Sequence, residues 1–578
     1  MRVPTSTYRL QLNADFKLAQ LRELTDYFEA LGVGDLYFSP IFQARPKSPH
    51  GYDVTNPAQF NREVGDEAEF EALSRELRER GIGLVLDIVP NHMAASEENP
   101  WWRDILENGA CSLASHFFDV EWDAPGCDCH VVLPILGREL NEAIAEGELK
   151  LAYKDGELVL MYFKRALPID PATYARVLRK IEGIDASLPA ESEAIRHRRA
   201  GTQEEKSGRR AAAIALKQRL YEWTSNETNR SILENVAANI DKDELSEIIE
   251  SQAYQLEFWQ TGTRRINYRR FFDITDLAGV RVEDPDVFAT THSLILELVR
   301  TNQIDGVRVD HVDGLRDPKG YLEDLRNAVG DTYVLVEKIL APKEELREEW
   351  PIEGTTGYDF TGLLAGFHCE PDGLSRIFED YAQRTGHPRF ADIVYEKKKF
   401  VIEALFRGEL RALTSELARI ANLSGVLIPE EELRRCIIEV TAALEIYRTY
   451  INGEADAYDR GIIKQAVNSA RHREPGVRDD AYYFFRRVVL SEELAADVLS
   501  SRDEFVANWQ QFTGPAMAKG LEDTSFYTYH ALIALSEVGA RPDAITASRR
   551  ELHEIFSRRA RRWPYTLNAT STHDTKRS

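Results

Sequence analysis

Ile82-Gly83-Leu84-Val85-Leu86-Asp87-Ile88-Val89 is an apolar run interrupted by one carboxylate near its end. A strand that is apolar at consecutive rather than alternate positions is covered on both faces, as parallel strands are. The residues before it supply the helix that such a strand needs. Asp66 and Glu69 form a capping pair, Phe70, Leu73 and Leu77 mark a buried face, and Gly81 closes the helix. Further upstream the spacing predicts a strand over Thr7 to Leu12, a helix over Phe16 to Leu31 and a strand over Asp35 to Ser39. Downstream it predicts a helix over Pro285 to Arg300, a strand over Gln303 to Asp310, a helix over Gly320 to Ala328 and a strand over Tyr333 to Glu337. Alternating units with buried strands predict an α/β fold built on a parallel sheet. Periodicity alone leaves that sheet open or closed.

Two stretches break the alternation. One, residues 91–284, holds a charged helical region (Glu191 to Trp223) and much irregular sequence; the other, 363–562, is mostly helical. Both are expected to be subdomains inserted in loops, where specificity is usually built. The expected organisation is therefore 1–90 as the first βα units, 91–284 as an insert, and 285–362 as the central units. A helical insert over 363–562 and a further strand over 563–578 complete it.

The chain has 578 residues, 96 acidic against 72 basic, and a net charge of −24. A field of that sign repels phosphate backbones and anionic lipid, so neither nucleic acid nor membrane is an expected partner, whereas a neutral sugar is indifferent to it. No apolar run approaches the roughly 20 residues that span a bilayer. The start, Met1 to Ser6, lacks a secretory stretch, and the five cysteines are irregularly spaced, which predicts a cytoplasmic protein. Cys127-Asp128-Cys129-His130 is spaced too tightly for a metal knuckle and reads as a loop. No metal is predicted, and no cofactor either, since no glycine-rich phosphate loop follows a strand.

Polar residues inside apolar strands mark the chemistry, because burying them is costly unless they are paired or used. Asp87 interrupts its strand, and Asn91 and His92 sit just past the strand's end. In Gly306-Val307-Arg308-Val309-Asp310 the period of two puts Arg308 and Asp310 on one face. A guanidinium beside a carboxylate holds it ionised and oriented, as a nucleophile requires. Glu337 ends the apolar Val334-Leu335-Val336 and is a candidate general acid. An internal ion pair and a solvated strand end would explain the same residues without function. Carboxylates converging at one end of a parallel barrel are nevertheless where catalysis on that fold sits.

Four short segments, in order, resemble the α-amylase superfamily: Asp87-Ile88-Val89-Pro90-Asn91-His92, Gly306 to His311, Glu337, and Thr572-His573-Asp574. The resemblance implies a (β/α)8 barrel and a retaining mechanism with Asp310 as nucleophile, Glu337 as acid and base, and Asp574 distorting the sugar through its hydroxyls. It further implies that Arg308, His92, His573 and Asp87 position the groups around them. Tyr52, in His50-Gly51-Tyr52-Asp53, would stack beneath the ring; Asp53, Asn91, His311, Lys338 and Tyr358 complete the implied binding set. Within the superfamily the chain resembles the maltooligosyltrehalose synthase family. The resemblance is carried by Ser6 to Leu12, Asn99-Pro100-Trp101-Trp102, Ile266 to Phe272, Asp310 to Leu315, Glu337 to Leu340, Gly354 to Asp359 and Ser571 to Arg577. It implies conversion of a reducing-end α-1,4 linkage of maltooligosaccharides to an α,α-1,1 linkage, and functional pairing with a trehalose-releasing hydrolase. Members of that family continue beyond the last segment, so the chain is expected to end before the last barrel strand and a C-terminal β domain. Trp101, Trp102, Tyr268 and Tyr358 are candidate sugar-stacking rings or ordinary packing. Lys338, Lys576 and Arg577 are candidate donors to a displaced glucose or ion-pair partners. An α-glucan or maltooligosyltrehalose hydrolase, or an inactive carbohydrate-binding barrel, are the alternative readings.

Overall fold

The computed structural model describes the chain apart from residues 125, 196–200, 343, 387–388, 544–547 and 577–578. Part of the expected Glu191–Trp223 helical region, and Arg577, therefore lie outside the described residues. The chain forms two compact units: residues 1–52, 57–91 and 288–578 make the first, 53–56 and 92–287 the second.

The first unit is built on one parallel sheet of six strands: β1 (Thr7–Leu10), β2 (Asp35–Phe38), β3 (Gly83–Ile88), β4 (Gly306–Val309), β5 (Tyr333–Val336) and β6 (Gly354–Thr355). Spatial order equals chain order throughout. A doubly wound sheet reverses its order at a switch point, whereas a sheet that adds each strand beside the last is winding into a barrel. The question that periodicity leaves open is settled by this order: the sheet is an arc of a (β/α)8-type barrel. All six residues of β3 are buried, as a strand covered on both faces requires.

Beyond β6 the chain at 563–576 forms turns and irregular segments but no regular strand. Leu567 N–H donates to the Thr355 carbonyl at 3.1 Å, while the Thr355 N–H is taken by the Thr566 hydroxyl at 3.0 Å. A side-chain oxygen thus occupies the place of a ladder carbonyl, and the pairing stops there.

The helices follow their capping chemistry. In α3 (Glu67–Glu79) the Glu69 N–H donates to Asp66 Oδ1 at 2.9 Å and the Asp66 N–H to Glu69 Oε2 at 3.2 Å. Gly81, at φ +74°, then turns the chain into β3. The single helix expected over Phe16 to Leu31 is instead two, α1 (Leu18–Arg22) and α2 (Thr25–Leu31). Leu24 leaves helical geometry between them, and the Thr25 hydroxyl bonds the Arg22 carbonyl and Glu76. The one expected over Pro285 to Arg300 breaks at His292, ahead of α4 (Ser293–Arg300). Helix α5 (Pro318–Val329) leads into β5.

The 358–525 stretch of the same unit is helical and has its own apolar core, with Trp509 edge-on to Phe485 and both fully buried. The second unit, taken by itself, mixes helices with antiparallel sheet (Leu149–Lys154, Glu157–Tyr162, Arg165–Pro168), so it is more ordered than its sequence suggests. Trp102 and Tyr268 pack edge to face in its interior, the packing role of the two offered by sequence. Cys127 is buried, Cys129 exposed, and His130 Nδ1 lies 2.9 Å from the Cys127 carbonyl, as in a tight loop. No helix among the described residues is long and apolar enough to cross a membrane.

Candidate active site

Register assembles the centre of the site. The β3–β4 pairing sets Arg308 directly opposite Asp87, and Asp310 N–H continues the ladder to the Ile88 carbonyl at 2.9 Å. Arg308 Nη1 then lies 2.7 Å from Asp87 Oδ1 and 2.7 Å from Asp310 Oδ1. Its other terminal nitrogen is 3.1 Å from Glu337 Oε1. One fully buried guanidinium therefore touches three carboxyls contributed by three adjacent strands. A buried cation of this kind is tolerable only because its charge is matched many times over.

His311 adopts a left-handed conformation, φ 46°, rare for a residue with a side chain. The turn aims its N–H at Glu337 Oε2, 2.9 Å away. Gly314 closes against this turn. A Cβ there would stand 2.3 Å from the His311 ring and 2.6 Å from Asn91 Oδ1, which leaves no room for a side chain.

A second layer of hydrogen bonds runs through Tyr52. Its hydroxyl donates to Asp87 Oδ2 at 2.6 Å and accepts from Arg9 Nη2 at 3.1 Å. His573 Nε2 lies 2.8 Å from the same hydroxyl, and the two rings stack at 5.6 Å. A phenol has one hydrogen to give, and Asp87 has it, so His573 must carry its proton on Nε2 and donate to Tyr52. Burial and the nearby charges of Arg308 and Arg9 keep this imidazole neutral. Tyr358, itself buried, donates to the His573 carbonyl at 3.0 Å. Asp574 follows at φ 68°, with Oδ2 3.3 Å from His573 Nε2. The site thus gathers Tyr52, Asp87, Arg308, Asp310, Glu337, Tyr358, His573 and Asp574.

The electrostatics follow from the composition of this cluster. Burial lifts Asp310 well above the ordinary carboxylate range against the pull of Arg308, with Glu337 adding to the rise. Burial likewise lifts Asp87, while Arg308 and the Tyr52 hydrogen bond pull it back. Asp87 and Asp310, held against one guanidinium, therefore titrate together, both above isolated carboxyls. Asp574 is 69% exposed, so solvent tempers the burial that lifts it, and the Glu337 charge acts in the same upward direction.

Asp53 and His92 belong to the second unit, where His92 opens a strand and stacks on Phe271 at 4.0 Å. The Lys338 ammonium is buried between Asp313 Oδ2 at 3.0 Å and Glu344 Oε1 at 2.9 Å. It is an ion-pair partner, with the rings of Tyr447 and Tyr450 over it, rather than a free donor. Lys576 is likewise engaged with Asp523. Sequence reading missed Tyr37, whose hydroxyl is 3.3 Å from Asp87 Oδ2; a tyrosine in an apolar strand gives no signal apart from its period. Among the described residues, His116, Asp284 and Asp286 of the second unit bring ligand atoms within 4.8 Å of one another. A cavity of about 310 Å³ opens beyond β6, lined by Thr355, Asp359, Arg559 and Trp563 among others, and none of the three acidic residues faces it. Buried charge, not cavity size, marks the candidate site.

The family model of the alpha amylase catalytic domain matches residues 18–128, the stretch that holds the second and third strands of the parallel sheet. More particularly, the chain is similar along its whole length to maltooligosyltrehalose synthases. A putative maltooligosyl trehalose synthase of Mycobacterium tuberculosis is 30% identical over 99% of this chain and 63% of its own length. The structure of maltooligosyltrehalose synthase from Arthrobacter ramosus superposes with a TM-score of 0.77 at 30% identity, over 100% of this chain and 63% of that one. A hypothetical maltooligosyl trehalose synthase of Sulfolobus tokodaii gives 0.69 at 29% identity, again over 100% and 63%. The chain therefore spans a little under two thirds of the length of these relatives.

Proposed function

We propose that this chain carries the catalytic machinery of a (1->4)-alpha-D-glucan 1-alpha-D-glucosylmutase, a maltooligosyltrehalose synthase acting on maltooligosaccharides in the cytoplasm. A hydrolase that releases trehalose from the product would be its functional partner. The observation that carries the reading is the single Arg308 guanidinium shared by Asp87, Asp310 and Glu337. A retaining mechanism needs one ionised carboxylate and one protonated carboxyl roughly 5–5.5 Å apart. Two carboxyls gripped by neighbouring nitrogens of one guanidinium meet the demand for closeness. Glu337, with Oε1 against Arg308 and Oε2 facing the His311 N–H, is the carboxyl assigned as the acid.

Glu337 protonates the glycosidic oxygen while Asp310 attacks the anomeric carbon. The carbon–oxygen bond to the leaving glucose breaks, and a covalent glycosyl ester on Asp310 forms. Glu337, now ionised, removes the proton from the anomeric hydroxyl of the turned glucose, whose oxygen displaces Asp310. Two inversions give net retention. Asp574, exposed at the mouth and next to neutral His573, accepts hydroxyls of the sugar being cleaved. Water must lose the competition with the released glucose, which calls for that glucose to be held at high effective concentration.

Incubation with maltopentaose tests the proposal. Reducing power is expected to fall without an equivalent release of free glucose; a rise in reducing power would favour the hydrolase instead.

A further inference from the structure

The helical part of the first unit brings one more carboxyl to the mouth. The long helix Leu499–Gly520 runs directly into a π-helical turn, Leu521–Ser525, which carries Glu522 and Asp523. Such a turn widens the helix by a residue, re-aims the side chains that follow, and is found disproportionately at functional sites. Two contacts fix where this one points. Lys576, two residues past Asp574, donates to Asp523 Oδ1 at 3.1 Å and lies 5.5 Å over the ring of Tyr527. Tyr447 donates its hydroxyl hydrogen to Glu522 Oε1, and its ring stands 5.4 Å from the ammonium of Lys338, the residue after Glu337. The turn is thus tied on one side, through Asp523, to Lys576 and on the other, through Glu522 and Tyr447, to the surroundings of Lys338.

Burial is the main cause that pushes the Glu522 carboxyl up to about 7; Tyr447 and Lys576 pull it down, while Asp523 and Glu337 push it further up. Only one oxygen of Glu522 is occupied: among the described residues, Oε2 receives no hydrogen bond, and the side chain is half-buried, not sealed. An acceptor held by its partner oxygen and left open, one tyrosine ring away from the residue that follows Glu337, is built to take a donor from outside the protein. Of the groups that reach Glu337, the hydroxyls of the leaving sugar supply that donor.

We propose that Glu522 is a sugar-binding residue that accepts, through Oε2, a hydroxyl of the glucose released at Glu337. Its role in retaining that glucose rests on the transglycosylation proposed above; the contact itself does not. Glu522→Gln separates contact from scaffold, since the amide oxygen still accepts from Tyr447 while the open position becomes a donor.

Two measurements on the full chain test it. In an Asp310→Asn background, maltopentaose is titrated calorimetrically into protein with and without Glu522→Gln. A roughly tenfold weaker affinity is expected, the factor set by one hydrogen bond to a charged group. Equal affinities, or no binding by either protein, overturn the contact. With Asp310 restored, Glu522→Gln is expected to raise free glucose per bond cleaved about tenfold by the same reasoning, with an unchanged melting temperature. An unchanged ratio, or a matching rise in Tyr447→Phe alone, overturns the retention role in favour of a scaffold. If the wild-type chain gives no non-reducing product, the mutase reading fails, and the calorimetric result still decides whether Glu522 holds sugar.

Discussion

Arg308 cannot be replaced by another cation of the same charge. Its nitrogens reach Asp87, Asp310 and Glu337 from one rigid plane, and a lysine offers a single point charge on a flexible stem. Arg308→Lys is expected to lower kcat by about 100-fold or more through loss of carboxyl alignment, measured by steady-state conversion of maltopentaose. Asp310→Ala removes the proposed nucleophile and is expected to lower conversion by at least about 1000-fold; unchanged product formation would exclude Asp310 from the mechanism. Gly314→Ala tests the turn that aims His311. A methyl group 2.3 Å from the His311 ring must displace it, so activity is expected to drop about 10- to 100-fold while far-ultraviolet circular dichroism stays native. The side chains that sequence marks best are those in the strands, because a charge in an apolar run has no other cheap explanation. Tyr52 and His573 lie 521 positions apart and meet only in the fold.

At the scale of elements, the caps were legible and the breaks were not. Asp66 and Glu69 announce α3 because their bonds are local, within four residues of chain. The break at His292 depends instead on a distant partner, Tyr321, whose hydroxyl is 2.8 Å from Nε2, while Nδ1 lies 3.0 Å from the Phe288 carbonyl. Burial lowers this imidazole from 6.5 to about 4. The sign follows directly. The unfolded chain takes up the proton as pH falls through about 6.5, and the folded chain only near 4, so stability is full above 6.5 and is lost across that window. The loss from this one group is at most about 3 kcal/mol. Urea unfolding between pH 4 and 7 is expected to show His292→Gln with a shallower acid decline than wild type; parallel declines would remove His292 as a cause.

For the molecule as a whole, the helices of the first unit are joined to its barrel through a small set of buried polar contacts. Arg448, fully buried, donates to the Asp313 carbonyl at 2.8 Å and the Leu315 carbonyl at 2.6 Å, and Gln511 donates to the Gly314 carbonyl at 2.8 Å. These bonds hold the very turn that carries His311 and Gly314. Arg448→Met leaves buried carbonyls without donors and is expected to cost about 3–5 kcal/mol in chemical denaturation. A loss under 1 kcal/mol, with full activity, would mean that the helices do not support the turn.

By itself the sequence determined the parallel α/β character, the strands that bear Asp87, Arg308, Asp310 and Glu337, and the family resemblance. Each of these is written in periods of a few residues or in short contiguous motifs. Tertiary structure alone decided that the sheet winds one way, that Lys338 is a buried ion-pair partner, and that Glu522 meets Tyr447. Strand order, the pairing of buried charges and the meeting of helix with barrel depend on which distant segments pack together, and no local pattern encodes that choice.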